Sequence, residues 1–234
     1  MPEMRIPFSV FDFFVYLIPG ALVLSSIFVI VWPVDNLSTL WSDLSSIGDL
    51  RFAIYGIALI ISYVAGHAIA AVGSLFFEGV LIGRILGYPS PNLFKPNTSG
   101  LFRRYRQPYS AKFVSEFVSL FEQFFGKGYD AEDMFMLCHS VVKEECPASF
   151  SRLNIFIIQY DFARNLAMAL LVSIPFLLWI GLLRSELVFL GLGVLSALLV
   201  VVMLLRYLKF YRRYSDEVFR SFFTYGTLRL KKGK

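Results

Sequence analysis

Arg103, Arg104 and Arg106 alternate with Phe102 and Tyr105, with Tyr109 and Lys112 close behind. Cationic side chains neutralise phosphate and aromatic faces stack on bases, so this mixture suits an anionic nucleotide or single-stranded oligonucleotide. Candidate ligand-binding residues are therefore Arg103, Arg104, Tyr105, Arg106 and Lys112. Two plainer origins stay open. The set follows a long apolar segment, where cations meet anionic lipid headgroups, and the retention of basic loops in the cytoplasm supplies several of these charges without any ligand.

A second set lies in apolar surroundings. His67 is near the middle of an uncharged window, and helical spacing places Ser74 at i+7 and Glu78 at i+11 on its face. Such a polar stripe is a candidate pore or gate. The alternative is a neutral imidazole donating one hydrogen bond to a neighbouring helix, with Gly66, Ala70 and Gly73 permitting close packing. Asp12 and Arg164 sit at the edges of apolar windows and are candidates for a structural ion pair between two helices. Pro19, Gly20 and Pro175 mark bends. Cys138, His139 and Cys146 have the wrong spacing for a zinc site. No catalytic or nucleotide-fold motif occurs, so neither an enzyme nor a cofactor is expected.

The elements that position these residues follow from where charge is missing. Of 234 residues 57% are hydrophobic and 17% charged, with a mean hydropathy of +0.65, too apolar for an ordinary soluble domain. No Asp, Glu, Lys or Arg lies between Phe13 and Val34, Phe52 and Phe77, Asn165 and Leu183, or Leu187 and Leu205. Each window approaches the roughly 20 residues that a helix needs to cross hydrocarbon. The expected fold is an all-α integral membrane protein with four transmembrane helices. Basic residues cluster after Leu205 while Asp35, Asp43 and Asp49 lie between the first two windows. That asymmetry predicts a membrane protein with both termini in the cytoplasm.

The resulting map is 8–33 for the first span, 34–51 for an external loop, 52–83 for the second span and its stalk, and 84–149 for a cytoplasmic insertion. Then come 150–183 for a stalk and the third span, 187–222 for the fourth span and its cytoplasmic extension, and 223–234 for a basic tail. Breakers from Gly87 to Pro108 predict an irregular basic loop. Phe113, Phe117, Leu120, Phe121 and Phe124 then repeat at helical spacing up to Gly126. Asp130 suits the cap of a second helix and Ser149 the cap of a third, starting at Phe150. Tyr207, Phe210, Tyr211, Tyr214 and Val218 form a stripe that suits packing on the insertion or on another copy.

Several local runs carry a resemblance: Phe11-Asp12 with Tyr16-Leu17-Ile18-Pro19-Gly20, Gly66-His67 followed by Leu86-Gly87-Tyr88-Pro89, Tyr160-Asp161-Phe162-Ala163-Arg164-Asn165, and Arg212-Arg213-Tyr214. They resemble uncharacterised bacterial four-span proteins of antiphage operons and are similar to the membrane effector of the Hailong system. In that system a nucleotidyltransferase partner makes a nucleic-acid oligomer that controls a membrane channel. The resemblance implies a homo-oligomer, such as a tetramer, gated by an anionic ligand at Arg103, Arg104 and Arg106. A different class of function, a non-conducting scaffold or sensor that recruits a cytoplasmic partner to the acidic helices, competes with it.

Overall fold

The computed structural model describes residues 10–31, 50–95 and 102–232. The expected external loop 34–51 lies almost wholly outside them, as do residues 96–101 of the basic loop. Every described element is a helix. In chain order they are α1 (Val10–Val31), α2 (Leu50–Gly73) continuing as a π-helical segment (Ser74–Leu86), α3 (Pro89–Phe94), α4 (Arg103–Arg106), α5 (Ala111–Phe125), α6 (Ala131–Glu145), α7 (Pro147–Leu183) and α8 (Leu187–Lys232). Three helical runs are long and apolar enough to cross a membrane: Phe52–Phe94, Pro147–Leu183 and Leu187–Lys232. A shorter apolar helix covers Phe13–Val29.

The chain divides into two compact units, Met1–Phe76 with Asp161–Leu205 and Phe77–Tyr160 with Arg206–Lys234. The first, called here the apolar unit, leaves large side chains such as Ile60, Leu75, Leu187 and Leu198 exposed. Water penalises such a surface and hydrocarbon does not. Its helices are joined by close backbone approach. A Cβ on Gly20 would overlap the carbonyl oxygen of Ser62, and one on Gly66 would overlap that of Tyr16. Only glycine lets α1 and α2 meet this closely, as small residues do at membrane-helix interfaces.

Pro19, inside α1, has no N–H to give the carbonyl four residues before it, which belongs to Val15. Asn165 Nδ2 from α7 donates to that carbonyl oxygen at 3.4 Å. Asn165 is fully buried, and its Oδ1 accepts from Arg164 Nε at 3.2 Å. Thus one amide answers both the backbone group exposed by the proline and a neighbouring guanidinium. Ser26 and Ser173 bond back to the carbonyls of Leu22 and Ala169, which satisfies their hydroxyls within apolar surroundings.

The second unit, called here the aromatic unit, has an ordinary side-chain core. Phe117 and Phe121 from α5, Met134, Cys138 and Val142 from α6, Leu153 from α7, and Val218, Phe219 and Phe222 from α8 are buried together. The Phe117 ring lies 5.4 Å from those of Phe94 and Phe219, edge-on to the latter. Such geometry adds to the burial of aromatic area. Helix ends follow local rules. Ser110 accepts from the Phe113 N–H, and one carboxylate oxygen of Asp130 accepts from the Glu132 and Asp133 N–H groups, each at 2.9 Å, satisfying first-turn donors.

Three boundaries differ from the sequence reading. Helix α7 begins at Pro147 rather than Phe150, because proline at the first helical position sacrifices only an N–H that has no helical partner. Helix α8 continues through the expected basic tail to Lys232, with Phe223 packed against the aromatic core. The long second helix changes to π-helical hydrogen bonding at Ser74.

Candidate functional site

The π-helical segment ends where Gly87 takes a φ of +76°, a left-handed value at which a Cβ is strained. Its N–H donates to the Ile82 carbonyl at 2.8 Å. A helix end leaves carbonyls without helical donors, and here later parts of the chain supply them. Asn92 Nδ2 donates to the Leu86 carbonyl at 3.0 Å and to that of Gly87 at 3.2 Å. The Tyr105 hydroxyl donates to the Gly87 carbonyl at 3.0 Å. Arg106 donates to the Ile85 carbonyl at 2.6 Å through Nη2 and to that of Leu86 at 3.3 Å through Nε.

The far side of α4 is held by α8. Arg212 Nη1 donates to the carbonyls of Arg104 and Tyr105 at 2.9 and 2.8 Å. Burial pulls the Arg212 guanidinium below its usual range, opposed by Asp216. Burial also pushes the Tyr105 and Tyr109 phenols up, Tyr109 with help from Asp216. Both phenols are neutral at physiological pH, and that of Tyr105 donates to the Gly87 carbonyl.

These anchors sort the predicted ligand set into two groups. Tyr105 is buried and Arg106 is half-buried against backbone carbonyls, whereas Arg103 and Arg104 are exposed. Arg103 and Arg104, with Gln107 and Pro108, line an open depression of about 540 Å³. Lys112 faces Glu116 at 3.9 Å with both side chains exposed, an arrangement worth little energetically. The depression thus presents two guanidinium groups on a helix held from both sides.

Of the predicted pore or gate residues, His67 is exposed. Its ring stacks on Tyr16 at 3.9 Å and meets the Tyr63 ring edge-on at 4.6 Å, and Tyr63 stacks on Phe13 at 5.5 Å. The imidazole is therefore framed by aromatic faces at the crossing of α1 and α2. His67 and Ser74 belong to the apolar unit and Glu78 to the aromatic unit. The change to π-helical hydrogen bonding begins at Ser74, between His67 and Glu78.

Arg164 Nη2 pairs with Asp161 at 3.0 Å, besides the contact with Asn165. The Asp12 side chain lies outside the described residues, so the expected Asp12 to Arg164 pair does too. Cys138 sits in the aromatic core, where burial pushes its thiol up. His139 lies between the Phe135 and Phe150 rings, and burial, then Lys143, hold its imidazole below the ordinary range. Among the described residues, no three His, Cys, Asp or Glu side chains are grouped to hold a metal ion.

Asn92, Asn165 and Arg212 each supply donors to backbone carbonyls of another element, a duty that residue type and spacing do not assign them. A signal existed for two of them: Gly87 marks a helix end needing donors, and Pro19 marks an orphaned carbonyl. No protein-family model, curated protein or solved structure matches this chain.

Proposed function

We propose that this chain is a membrane effector of a bacterial antiphage system, gated by an anionic nucleotide or single-stranded oligonucleotide at its cytoplasmic face. It crosses the inner membrane four times, with both termini and the insertion in the cytoplasm, and acts as a homo-oligomeric ion channel or depolarising pore. A nucleotidyltransferase partner supplies or removes the ligand. What supports this reading is that a helix bearing an exposed cationic surface is hydrogen-bonded to the end of a long apolar helical run. Arg103 and Arg104 face outward on α4, while their neighbours Tyr105 and Arg106 hold the last carbonyls of the helical run that contains His67.

An anion drawn to Arg103 and Arg104 pulls on α4 and, through those hydrogen bonds, on the end of that run. Gating requires that the ligand bind one state of the run more tightly than the other. His67 and Ser74 are the pore or gate candidates in the apolar unit, with Glu78 inside the π-helical segment that Ser74 begins. An exposed imidazole at membrane depth is costly in lipid and suits an interface between copies or a wet pore.

Ion flux through liposomes holding the purified full-length protein tests the proposal. Flux should change on adding short single-stranded oligonucleotides and should lose that response in the R103Q/R104Q variant. Absence of flux under every condition removes the channel. Retention of phage protection by a charge-reversed Arg103/Arg104 variant, with a partner protein still co-purifying, favours the scaffold reading instead.

A further inference from the structure

Beyond the nucleotide surface, α8 carries a second concentration of positive charge. Arg206, Lys209 and Arg213 place their cationic groups 5.2, 5.8 and 5.9 Å from the centre of one ring, that of Phe210. Phe210 is itself buried and stacks on Phe156 of α7 at 6.3 Å. The ring forms an apolar floor fixed by its neighbour, and three cations stand around it. Like charges at three- and four-residue spacing on one helix repel, and attraction to a ring face offsets only part of that cost.

The other two cations of α8 before Arg229, namely Arg212 and Arg220, have polar partners. Arg220 pairs with Asp216 at 2.7 Å, and Glu217 pairs with Arg152 at 2.9 Å. Arg212 spends its donors on the α4 carbonyls. Among the described residues, Arg206, Lys209 and Arg213 form no ion pair, and all three are exposed. Among the described residues, no carboxylate pairs with any of these three charges.

Their place along the chain says what the counter-charge is. Arg206 is the first ionised residue after the uncharged run from Leu187 to Leu205, on a helix long and apolar enough to cross a membrane. The cluster therefore sits at the depth where hydrocarbon gives way to headgroups, with aliphatic stems suited to reaching the interface. Basic residues next to a span attract anionic lipid, by about 1 kcal/mol each.

We infer that Arg206, Lys209 and Arg213, arranged around Phe210, form a binding site for the phosphate group of an anionic membrane lipid. The guanidinium forks and the ammonium donate to phosphate oxygens. This inference rests on α8 crossing the membrane and is independent of nucleotide binding at Arg103 and Arg104.

The test uses full-length protein in detergent micelles, titrated with phosphatidylglycerol or phosphatidylcholine, reading the melting midpoint and counting retained lipids by native mass spectrometry. Phosphatidylglycerol should raise the midpoint by roughly 2–4 °C more than phosphatidylcholine. The R206Q/K209Q/R213Q variant should lose that difference and the retained anionic lipid, and R103Q/R104Q should keep both. Should the triple variant fail to fold, R206Q and R213Q taken singly should each lower anionic-lipid retention. Equal responses to the two lipids, or undiminished retention in the variants, overturn the inference. So does an equal rise with inorganic phosphate, which assigns the cluster to a free anion.

Discussion

The two units solve the same problem, holding long helices together, with opposite materials. In the aromatic unit the work is done by large side chains: Phe117, Phe121, Phe219 and Phe222 fill one core, and expulsion of water from their surfaces drives the packing. In the apolar unit α1 and α2 meet where side chains are absent, at Gly20 and Gly66, and a buried amide repairs the backbone at Pro19. Hydrocarbon offers no hydrophobic reward for joining helices, so close van der Waals fit and hydrogen bonding must suffice. The contrast is between a core filled by side chains and a crossing made by backbones.

Substitution at Gly66 should break that contrast most severely. Gly66→Leu places a side chain where the Tyr16 backbone runs, so destabilisation beyond about 4 kcal/mol is expected. It should appear as loss of monodisperse protein and of a cooperative melt; a parent-like melt would show that the glycine contact is dispensable. Phe117→Ala should cost about 3–5 kcal/mol and act on the other half. Hydrogen exchange should accelerate through α5 and the end of α8 while amides of 161–183 keep their protection. Uniform acceleration would mean that the two units do not unfold separately.

Asn165→Ala should cost about 1–2 kcal/mol, the scale of interhelical hydrogen bonds in membranes. If its amide compensates for Pro19, the same change in a Pro19→Ala background should cost less, because the Val15 carbonyl then regains a helical donor. Equal costs in a double-mutant cycle of melting midpoints would dissociate the two residues.

The smallest effect is that of pH on His139, whose imidazole is held below its ordinary value. Above about pH 6.5 it is neutral folded and unfolded and adds no slope. As pH falls below that, the unfolded chain takes up a proton that the folded ring resists, so stability declines until the folded value is passed. His139→Gln should flatten the acid side of the melting curve slightly, and an unchanged slope would assign it to other groups.

Much of the fold was legible because its causes are local. The Phe113 to Phe124 stripe became the buried face of α5, and Asp130 caps α6, since periodicity and capping are decided within a few residues. The candidate site was legible only in outline. The cluster of arginines was plain in the chain, but Arg103 and Arg106 carry the same group three positions apart and have different duties. Arg106 meets the carbonyls of Ile85 and Leu86, and Arg103 lines an open depression. Residue type cannot separate these duties, because each depends on where a helix twenty residues earlier comes to an end.

What the sequence by itself determined is the helical character of the chain and the segments able to face hydrocarbon, because solvation of ions and apolar groups is a property of the residues present. What only the tertiary structure decided is which polar groups are spent on the protein's own backbone. Asn165 finds Val15 across 150 positions, and Arg212 finds the carbonyls of Arg104 and Tyr105 across more than a hundred. A hydrogen bond is won within about 3 Å, and proximity on that scale between remote residues exists only once the helices have packed.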